Sequence, residues 1–320
     1  MSRELDPGVL AELAPVLAAA AGREPPPVGD VAARRANTRE LFERLKIAPP
    51  VTDGVEVREF TLDSDDGAAL TLSWYRPAGV DLPGSAVLYL HGGGMICGMG
   101  ELGALYDGMA RRYVAESRVP LLLVDYRTAP EFPHPVPVQD CFAALVWLAD
   151  HADELGVDPA RVAVMGDSAG GGLAAAVCLM ARDRGGPAVA LQLLVYPMLD
   201  DRTTVPDPEL VPFLTWTYDD NATGWGALLG AGAGGDGVSA YAAPARATEL
   251  SLLPPTYVDV GDLDIFRDEN LVYARRLAAA GVATELHIHP GCPHAFEGLA
   301  PDAAVSRRAI ADRVRRLRAL

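Results

Sequence analysis

The chain has 320 residues, of which 50% are hydrophobic and 22% are charged, and its formal net charge is −16 at pH 7. This length and composition are typical of a soluble globular enzyme with a sizeable buried core. The net negative charge argues against binding to nucleic acid, and the sequence has no basic stripe that would bind a polyanion.

The first 50 residues contain two predicted helices, Pro7–Ala21 and Val31–Ile47, and Asp30 is a suitable N-cap for the second. Acidic residues such as Glu4 and Asp6 fit an amphipathic helix better than a secretion signal. No apolar run reaches the roughly 18 residues that would span a bilayer. The four cysteines are scattered without metal-ligand spacing, which predicts free thiols in a reducing compartment. We therefore expect a cytoplasmic protein without a membrane partner.

From about residue 85 onward, short apolar runs alternate with helical patterns. The predicted strands are Ala86–Leu90, Leu121–Asp125, Val162–Met165, Leu191–Tyr196, Thr256–Val260 and Glu285–His289. The predicted helices are Leu102–Glu116, Val138–Glu154, Gly171–Arg184, Glu269–Ala280 and Asp302–Ala319. Such alternation predicts an α/β fold with a mostly parallel sheet between two layers of helices. Two earlier strands, Val55–Asp63 and Ala69–Tyr75, flank an Asp-Asp-Gly turn and predict an antiparallel hairpin.

Residues 201–240 interrupt this alternation with three prolines, a group of aromatic residues and a glycine-rich end. An insertion of this length in a compact sheet is more often functional than neutral, and it typically forms a lid over a site. The aromatic residues suggest an apolar substrate pocket; the alternative is that they form the small core of the insertion itself. These residues are Phe213, Trp216, Tyr218 and Trp225.

A cluster of basic residues lies in the predicted last helix, where positive charge suits the helix dipole. We interpret these residues as structural: Arg313, Arg315, Arg316 and Arg318.

The segment Gly166–Gly170 reads Gly-Asp-Ser-Ala-Gly and fits the pattern G-x-S-x-G, which is weak evidence by itself. Its context is more specific, because it follows the strand-like run Val162–Met165 and precedes a helical run. A sharp strand-to-helix turn lifts a serine hydroxyl clear of the sheet, so Ser168 is the predicted nucleophile. The alternative is a tight loop in which Ser168 only caps the helix.

The tetrapeptide His91-Gly92-Gly93-Gly94 directly follows the strand Ala86–Leu90. Consecutive glycines leave the backbone free to direct N–H groups at a carbonyl oxygen, as an oxyanion hole requires, and the N–H of Ala169 would complete it. The alternative is a phosphate-binding loop, which usually carries a lysine, and no Gly-Lys-Ser/Thr follows here.

A serine nucleophile needs a base and an acid, which in this kind of fold follow it in the order Ser, acid, His. His287 and His289 alternate along a strand, whereas His294 lies in a loop beyond it, so His294 is the predicted base. Two aspartates, Asp262 and Asp264, follow the strand Thr256–Val260, and their spacing does not separate them as candidates for the acid.

The combination of motifs resembles the hormone-sensitive-lipase-like branch of α/β-hydrolase esterases, also called bacterial family IV, over about residues 55–300. The resemblance rests on His91–Gly94, Tyr126–Glu131, Gly166–Gly170, Tyr196–Asp200, Asp264–Glu269 and His294–Phe296. It implies that Asp264 is the acid, that the oxyanion hole uses glycines after His91, most of all Gly93 and Gly94, and that Asp167 marks a GDSAG subgroup. Thr128 and Cys292-Pro293 depart from the family pattern without touching the triad.

The resemblance further implies an α/β-hydrolase fold with a sheet of about eight strands and a helical cap. The predicted parts are cap helices in 1–50, a catalytic domain in 51–200 and 241–320, and a cap insertion in 201–240. The predicted function is a serine carboxylesterase for short- to medium-chain esters that needs no metal or cofactor. An amidase, deacetylase or lactonase with the same triad is the first alternative, and a non-catalytic receptor is the second. The expected partner is a small ester, and a homodimer is left open.

Overall fold

The computed structural model describes residues 3–20, 22, 24–45, 54–79 and 84–320. The strands in these ranges are β1 (Val55–Asp63), β2 (Ala69–Pro77), β3 (Ala86–Leu90), β4 (Leu121–Val124), β5 (Val162–Asp167), β6 (Leu191–Val195), β7 (Thr256–Gly261) and β8 (Thr284–His289). They form one sheet in the order β1-β2-β4-β3-β5-β6-β7-β8. The first hairpin and the β2–β4 pair are antiparallel, and every later pair is parallel. The predicted mostly parallel sheet of about eight strands is confirmed.

The helices in the same ranges are α1 (Pro7–Ala20), α2 (Val31–Leu45), α3 (Met99–Ser117), α4 (Val136–Asp150), α5 (Ala152–Leu155), α6 (Ala169–Arg184), α7 (Tyr218–Leu229), α8 (Arg267–Ala279), α9 (Phe296–Leu299) and α10 (Ala304–Arg318). Residues 21, 46 and 47, which the two N-terminal predictions included, lie outside the described residues. None of the helices in the described ranges combines the length and the apolar character needed to cross a bilayer.

Three helical regions differ from the sequence prediction, one of which is the short helix α9, which was not predicted. The predicted helix Val138–Glu154 is divided at His151, whose φ of −101° and ψ of 12° end α4 and precede α5. The resemblance implied a helical cap insertion, but helix α7 was not located within it, although Thr217 and Asp220 form a reciprocal capping box at its start. A threonine followed three residues later by an acidic residue is the local signal that would have indicated this helix.

The central strands are buried because both faces of the sheet are covered. Along β3, Leu88 and Leu90 pack in a hydrophobic layer with α4 and α6, whereas Val87 and Tyr89 pack in the opposite layer with α3 and α10. This alternation follows from the two-residue period of a strand. The parallel strands β5, β7 and β8 all end at the same edge of the sheet. The loops that follow these strands therefore meet there.

The N-terminal helices pack in two different places. Helix α2 contacts α3 and α7, and the Arg34 guanidinium lies 2.9 Å from the Asp220 carboxylate of α7. Helix α1 packs instead against α9 and α10, with Val9 and Leu13 buried against a group that includes Phe296. Of the two predicted cap helices, α2 therefore lies beside the insertion, and α1 rests on the C-terminal helices.

From the sequence alone, we interpret Arg313 of α10 as a structural residue that suits the helix dipole. The structure shows that it also forms buried ion pairs. Its side chain is fully buried, its Nε donates to Asp259 at 2.7 Å, and its Nη1 donates to the carboxylate of Glu297. Glu297 also accepts a 2.7 Å hydrogen bond from the hydroxyl of Tyr196. Arg313 thus links β7, α9 and the end of β6 within the interior.

Replacing Arg313 with methionine is expected to lower the free energy of unfolding by about 3–5 kcal/mol, because two carboxylates would stay buried without their cation. Arg315→Met in the same helix is the matched control, since the Arg315 side chain is 51% exposed and its ion pair with Glu285 should contribute at most about 1 kcal/mol. Urea unfolding of both variants measures the difference. Equal losses in the two variants would contradict a special role for the buried arginine.

Candidate active site

Three side chains at the carboxyl edge of the sheet form a continuous hydrogen-bonded chain. The Ser168 Oγ atom, between β5 and α6, lies 2.9 Å from Nε2 of His294, which follows β8. Nδ1 of His294 lies 2.6 Å from Oδ2 of Asp264, which follows β7. A carboxylate can only accept, so Nδ1 carries the proton and Nε2 is left to accept from the serine hydroxyl. All three side chains are buried.

The two candidate acids have different partners. Asp264 faces His294, and its second oxygen accepts the Phe266 N–H at 2.9 Å. The Oδ1 atom of Asp262 accepts the N–H of Gly291 at 2.7 Å and thereby ties together two loops. The geometry therefore brings Asp264, and not Asp262, to the imidazole.

Ser168 occupies a sharp turn in which its backbone has φ 55° and ψ −120°. A non-glycine residue adopts this conformation only when its surroundings hold it there, and such strain often marks a functional site. The neighbouring glycines allow the turn to be tight: a Cβ on Gly166 would lie 2.2 Å from the Gly170 oxygen, and one on Gly170 would lie 2.0 Å from the Leu90 oxygen. Side chains at these two positions would push the strand and the helix apart.

The backbone after β3 lies beside Ser168. Gly93 and Gly94 line the same cavity as Ser168, and their φ values of +111° and +61° are unfavourable for other residues. In the described part of the chain, the amides of Gly93, Gly94 and Ala169 have no acceptor. Gly92 was also proposed as an oxyanion donor, but its N–H donates to the Tyr106 hydroxyl at 2.6 Å. Gly92 is therefore removed from that set.

His91 has a structural environment. Its ring stacks on Tyr126 with centroids 4.0 Å apart, and its Nδ1 lies 2.7 Å from the Gly92 carbonyl oxygen. The Tyr126 hydroxyl donates to the His91 carbonyl at 2.6 Å. Burial lowers the pKa of His91 to about 4, so the ring is neutral at pH 7. The residue supports the loop that carries Gly93 and Gly94.

Asp167, beside the nucleophile, is buried and accepts hydrogen bonds from two tyrosines. Tyr89 donates at 3.0 Å and Tyr106 at 2.5 Å, and Tyr106 also receives the Gly92 N–H. Sequence reasoning missed both tyrosines. Tyr89 lies in the strand that directly precedes the His91-Gly92-Gly93-Gly94 motif, which is a usable signal, whereas nothing local indicates Tyr106. Asp167 and Tyr106 therefore connect the nucleophile turn with the glycine loop.

The buried Asp167 should make stability depend on pH. Burial raises its pKa from the ordinary value of 3.8 to about 6, against the opposing effect of the hydrogen bond from Tyr106. Between pH 4 and pH 7 the native protein holds a proton that the unfolded chain releases, so the free energy of unfolding falls as pH rises. Asp167→Asn removes this titration. From pH 4 to pH 7, the free energy of unfolding of this variant should therefore rise by about 2 kcal/mol relative to that of the wild type. Urea unfolding at both pH values tests this, and parallel pH dependence of the two proteins would contradict it.

A cavity of about 160 Å³ opens over Ser168 and His294. Its walls are mostly apolar and come chiefly from α2 and α3, which sequence reasoning did not assign to the site. The apolar side chains include Leu41, Phe42, Leu102, Leu105, Met109 and Leu299. The pocket is therefore built between the N-terminal helix α2, helix α3 and the loops that carry Ser168 and His294.

Of the four aromatic residues predicted to line the pocket, only Trp216 does so. Trp225 and Tyr218 are buried in the main hydrophobic layer, and Phe213 is half-buried outside the cavity wall. The reason is the unpredicted helix α7, which directs Tyr218 and Trp225 into the core beneath the insertion. The prediction was wrong for these three residues.

A serine, a histidine and an aspartate that follow β5, β8 and β7 of a mostly parallel sheet are the arrangement of a serine hydrolase of the α/β-hydrolase type. Comparison with known proteins agrees: residues 87–298 match a family described as alpha/beta hydrolase fold. The chain belongs to this family, in its hormone-sensitive-lipase-like branch of carboxylesterases.

Relatives cover most of the chain. Esterase LipI of Mycobacterium tuberculosis is 36% identical over 267 residues, which are 81% of this chain and 81% of that protein. An ethyl acetate hydrolase of Pseudomonas putida is 32% identical over 251 residues, 75% of each chain. The solved structure of a bacterial heroin esterase has a TM-score of 0.85 and 38% identity, and covers 98% of this chain and 97% of that one.

Proposed function

We propose that the protein is a serine carboxylesterase that hydrolyses short- to medium-chain esters. The observation that carries the proposal is the hydrogen-bonded chain from Ser168 through His294 to Asp264, with distances of 2.9 and 2.6 Å, at the floor of an apolar cavity. These residues supply the nucleophile, the base and the acid that acyl transfer requires.

In the proposed mechanism, the Ser168 hydroxyl attacks the ester carbonyl carbon while Nε2 of His294 takes the proton. Asp264 stabilises the imidazolium and keeps the ring in the correct tautomer. The N–H groups of Gly93, Gly94 and Ala169 hold the oxyanion of the tetrahedral intermediate. The imidazolium then protonates the departing alcohol, which leaves an acyl ester on Ser168. Water, deprotonated by His294, attacks that ester and releases the acid.

The lining of the cavity supports a small neutral ester as substrate. Among the residues that the structure describes, the lining contains no lysine or arginine, and its one carboxylate, Asp167, is already bound by Tyr89 and Tyr106. A charged acyl or alcohol group would therefore lose its hydration without gaining a charged partner from these residues. The relative named ethyl acetate hydrolase agrees with a short acyl group.

Two measurements on the wild-type protein test the proposal. A fluorophosphonate should inactivate it with one equivalent bound to Ser168, which a non-catalytic receptor would not do. Initial rates on p-nitrophenyl esters from acetate to palmitate should peak at short to medium acyl chains. Faster turnover of matched anilides or lactones would instead indicate the amidase, deacetylase or lactonase alternative, and a maximum at palmitate would contradict the proposed chain length.

We also propose a cytoplasmic location. Four buried cysteines support it, because none of them forms a disulfide within the described ranges: Cys97, Cys141, Cys178 and Cys292. Unpaired thiols persist in reducing compartments. Cell fractionation tests this proposal, and recovery of the native protein from culture medium would contradict it.

A further inference from the structure

Two adjacent residues of the insertion, Thr215 and Trp216, contact both halves of the candidate active site. The Thr215 hydroxyl donates a 2.6 Å hydrogen bond to the main-chain carbonyl oxygen of His294. The Trp216 ring lies against Gly94, since a Cβ on that glycine would fall 2.1 Å from the Cη2 atom of the indole. One dipeptide therefore contacts the loop of the base and the loop of the oxyanion donors.

The loop of His294 contains an unfavourable backbone conformation that such a contact helps to hold. The next residue, Ala295, has φ 55° and ψ 30°, the left-handed region that a residue with a Cβ adopts at a cost. Such a conformation persists when the surrounding structure holds it. The imidazole is packed edge-on by Tyr196 and Phe266, with ring centroids 4.7 and 5.1 Å away, but these contacts do not fix the main-chain carbonyl. The hydroxyl of Thr215 does.

The dipeptide is itself held firmly, because it directly precedes the capped start of α7. The Thr217 hydroxyl accepts the Asp220 N–H at 3.1 Å, and the Asp220 carboxylate accepts the Thr217 N–H at 3.0 Å. Asp220 also receives the Arg34 guanidinium of α2 at 2.9 Å. The same helix buttresses the glycine loop, because a Cβ on Gly224 would lie 2.5 Å from the Gly94 oxygen.

We propose that Thr215 and Trp216 are positioning residues that align His294 with the oxyanion donors, so that the insertion contributes to turnover besides covering the pocket. The inference rests on the proposed function, because alignment matters only if Ser168 is acylated. Thr215 is the residue that separates this role from substrate contact most clearly. Both residues line the pocket, but the Thr215 hydroxyl is already engaged with the backbone of His294, so its removal changes that contact more directly than it changes the pocket wall.

The test compares Thr215→Val, which keeps the shape and removes the hydroxyl, with Thr215→Ser, which keeps the hydroxyl. A small misplacement of a catalytic group raises the activation free energy, so we expect Thr215→Val to lower kcat about 10-fold and to change KM less than about 2-fold. The fluorophosphonate labelling rate should fall in parallel. Thr215→Ser should restore kcat to within about 3-fold of the wild type. Thr204→Val is the matched control, because Thr204 is exposed in the same insertion, and it should behave as the wild type.

Each other outcome has a definite meaning. Equal kcat in the wild type and Thr215→Val would overturn the inference. Equal losses of kcat in the valine and serine variants would also overturn it, because the loss would then come from altered packing and not from the missing hydroxyl. A raised KM with unchanged kcat would identify Thr215 as a substrate contact. A wild-type protein that is neither labelled nor active would overturn the proposed function, and with it this inference, before any variant is compared.

Discussion

Replacing Ser168 with alanine is expected to lower kcat for p-nitrophenyl acetate by about 10⁶-fold, which leaves only background hydrolysis. The Ser168 Oγ atom is the single nucleophile in the proposed mechanism, and nothing in the variant replaces the covalent acyl intermediate. The substitution removes one hydrogen bond, to Nε2 of His294. The free energy of unfolding should therefore change by only about 1 kcal/mol.

The measurement is a steady-state rate with near-ultraviolet circular dichroism as a check on folding. The Ser168→Ala sample should also take up no fluorophosphonate. Because a contaminating host serine esterase would be labelled, this check excludes it as the source of any residual rate. Ser168→Ala protein that is folded and retains a tenth of the wild-type rate would show that Ser168 is not the nucleophile.

The second large effect is expected for Asp264→Asn, which should lower kcat about 10⁴-fold. The Asp264 carboxylate accepts from Nδ1 of His294 at 2.6 Å and so leaves Nε2 unprotonated. An asparagine at this position can direct its NH₂ group at Nδ1, which favours the tautomer with the proton on Nε2. That tautomer cannot take the proton from Ser168, so the nucleophile loses its base.

Asp262→Asn is the matched control, because it makes the same chemical change two residues away. The Asp262 side chain accepts the Gly291 N–H at 2.7 Å, and an asparagine carbonyl can still accept it. We expect a kcat within about 3-fold of the wild type, since the remaining hydrogen bond keeps the loop in place. A larger loss in Asp262→Asn than in Asp264→Asn would reverse the assignment of the acid.

Much of the fold could be predicted from the sequence, because strands and helices have local periodicities. The predicted strand Ala86–Leu90 matches β3, and Val55–Asp63 matches β1. The division between α4 and α5 and the start of α7 were missed. Each depends on the conformation of one or two residues, the backbone of His151 in the first case and the capping box of Thr217 and Asp220 in the second.

The site residues that were predicted lie in short motifs, in which the neighbouring residues in the sequence indicate the chemical role. Ser168 lies in a strand-to-helix turn, and Gly93 and Gly94 follow a buried strand. The residues that were missed, Tyr89 and Tyr106, act across the fold. The Tyr106 hydroxyl receives the Gly92 N–H and donates to Asp167, 61 residues away in the chain.

The sequence by itself determined the α/β class, the place of Ser168 in a sharp turn and the order of nucleophile, acid and base. The first two features depend on neighbours within a few residues, and the order can be read directly along the chain. The family resemblance implied Asp264 as the acid, and the tertiary structure places this aspartate, and not Asp262, at His294. The tertiary structure alone decided which glycine amide is already engaged, and that Trp216 lines the pocket while Trp225 enters the core. Each of these outcomes depends on where a side chain or an N–H points after distant segments have packed. Periodicity and motif spacing carry no direct information about that packing.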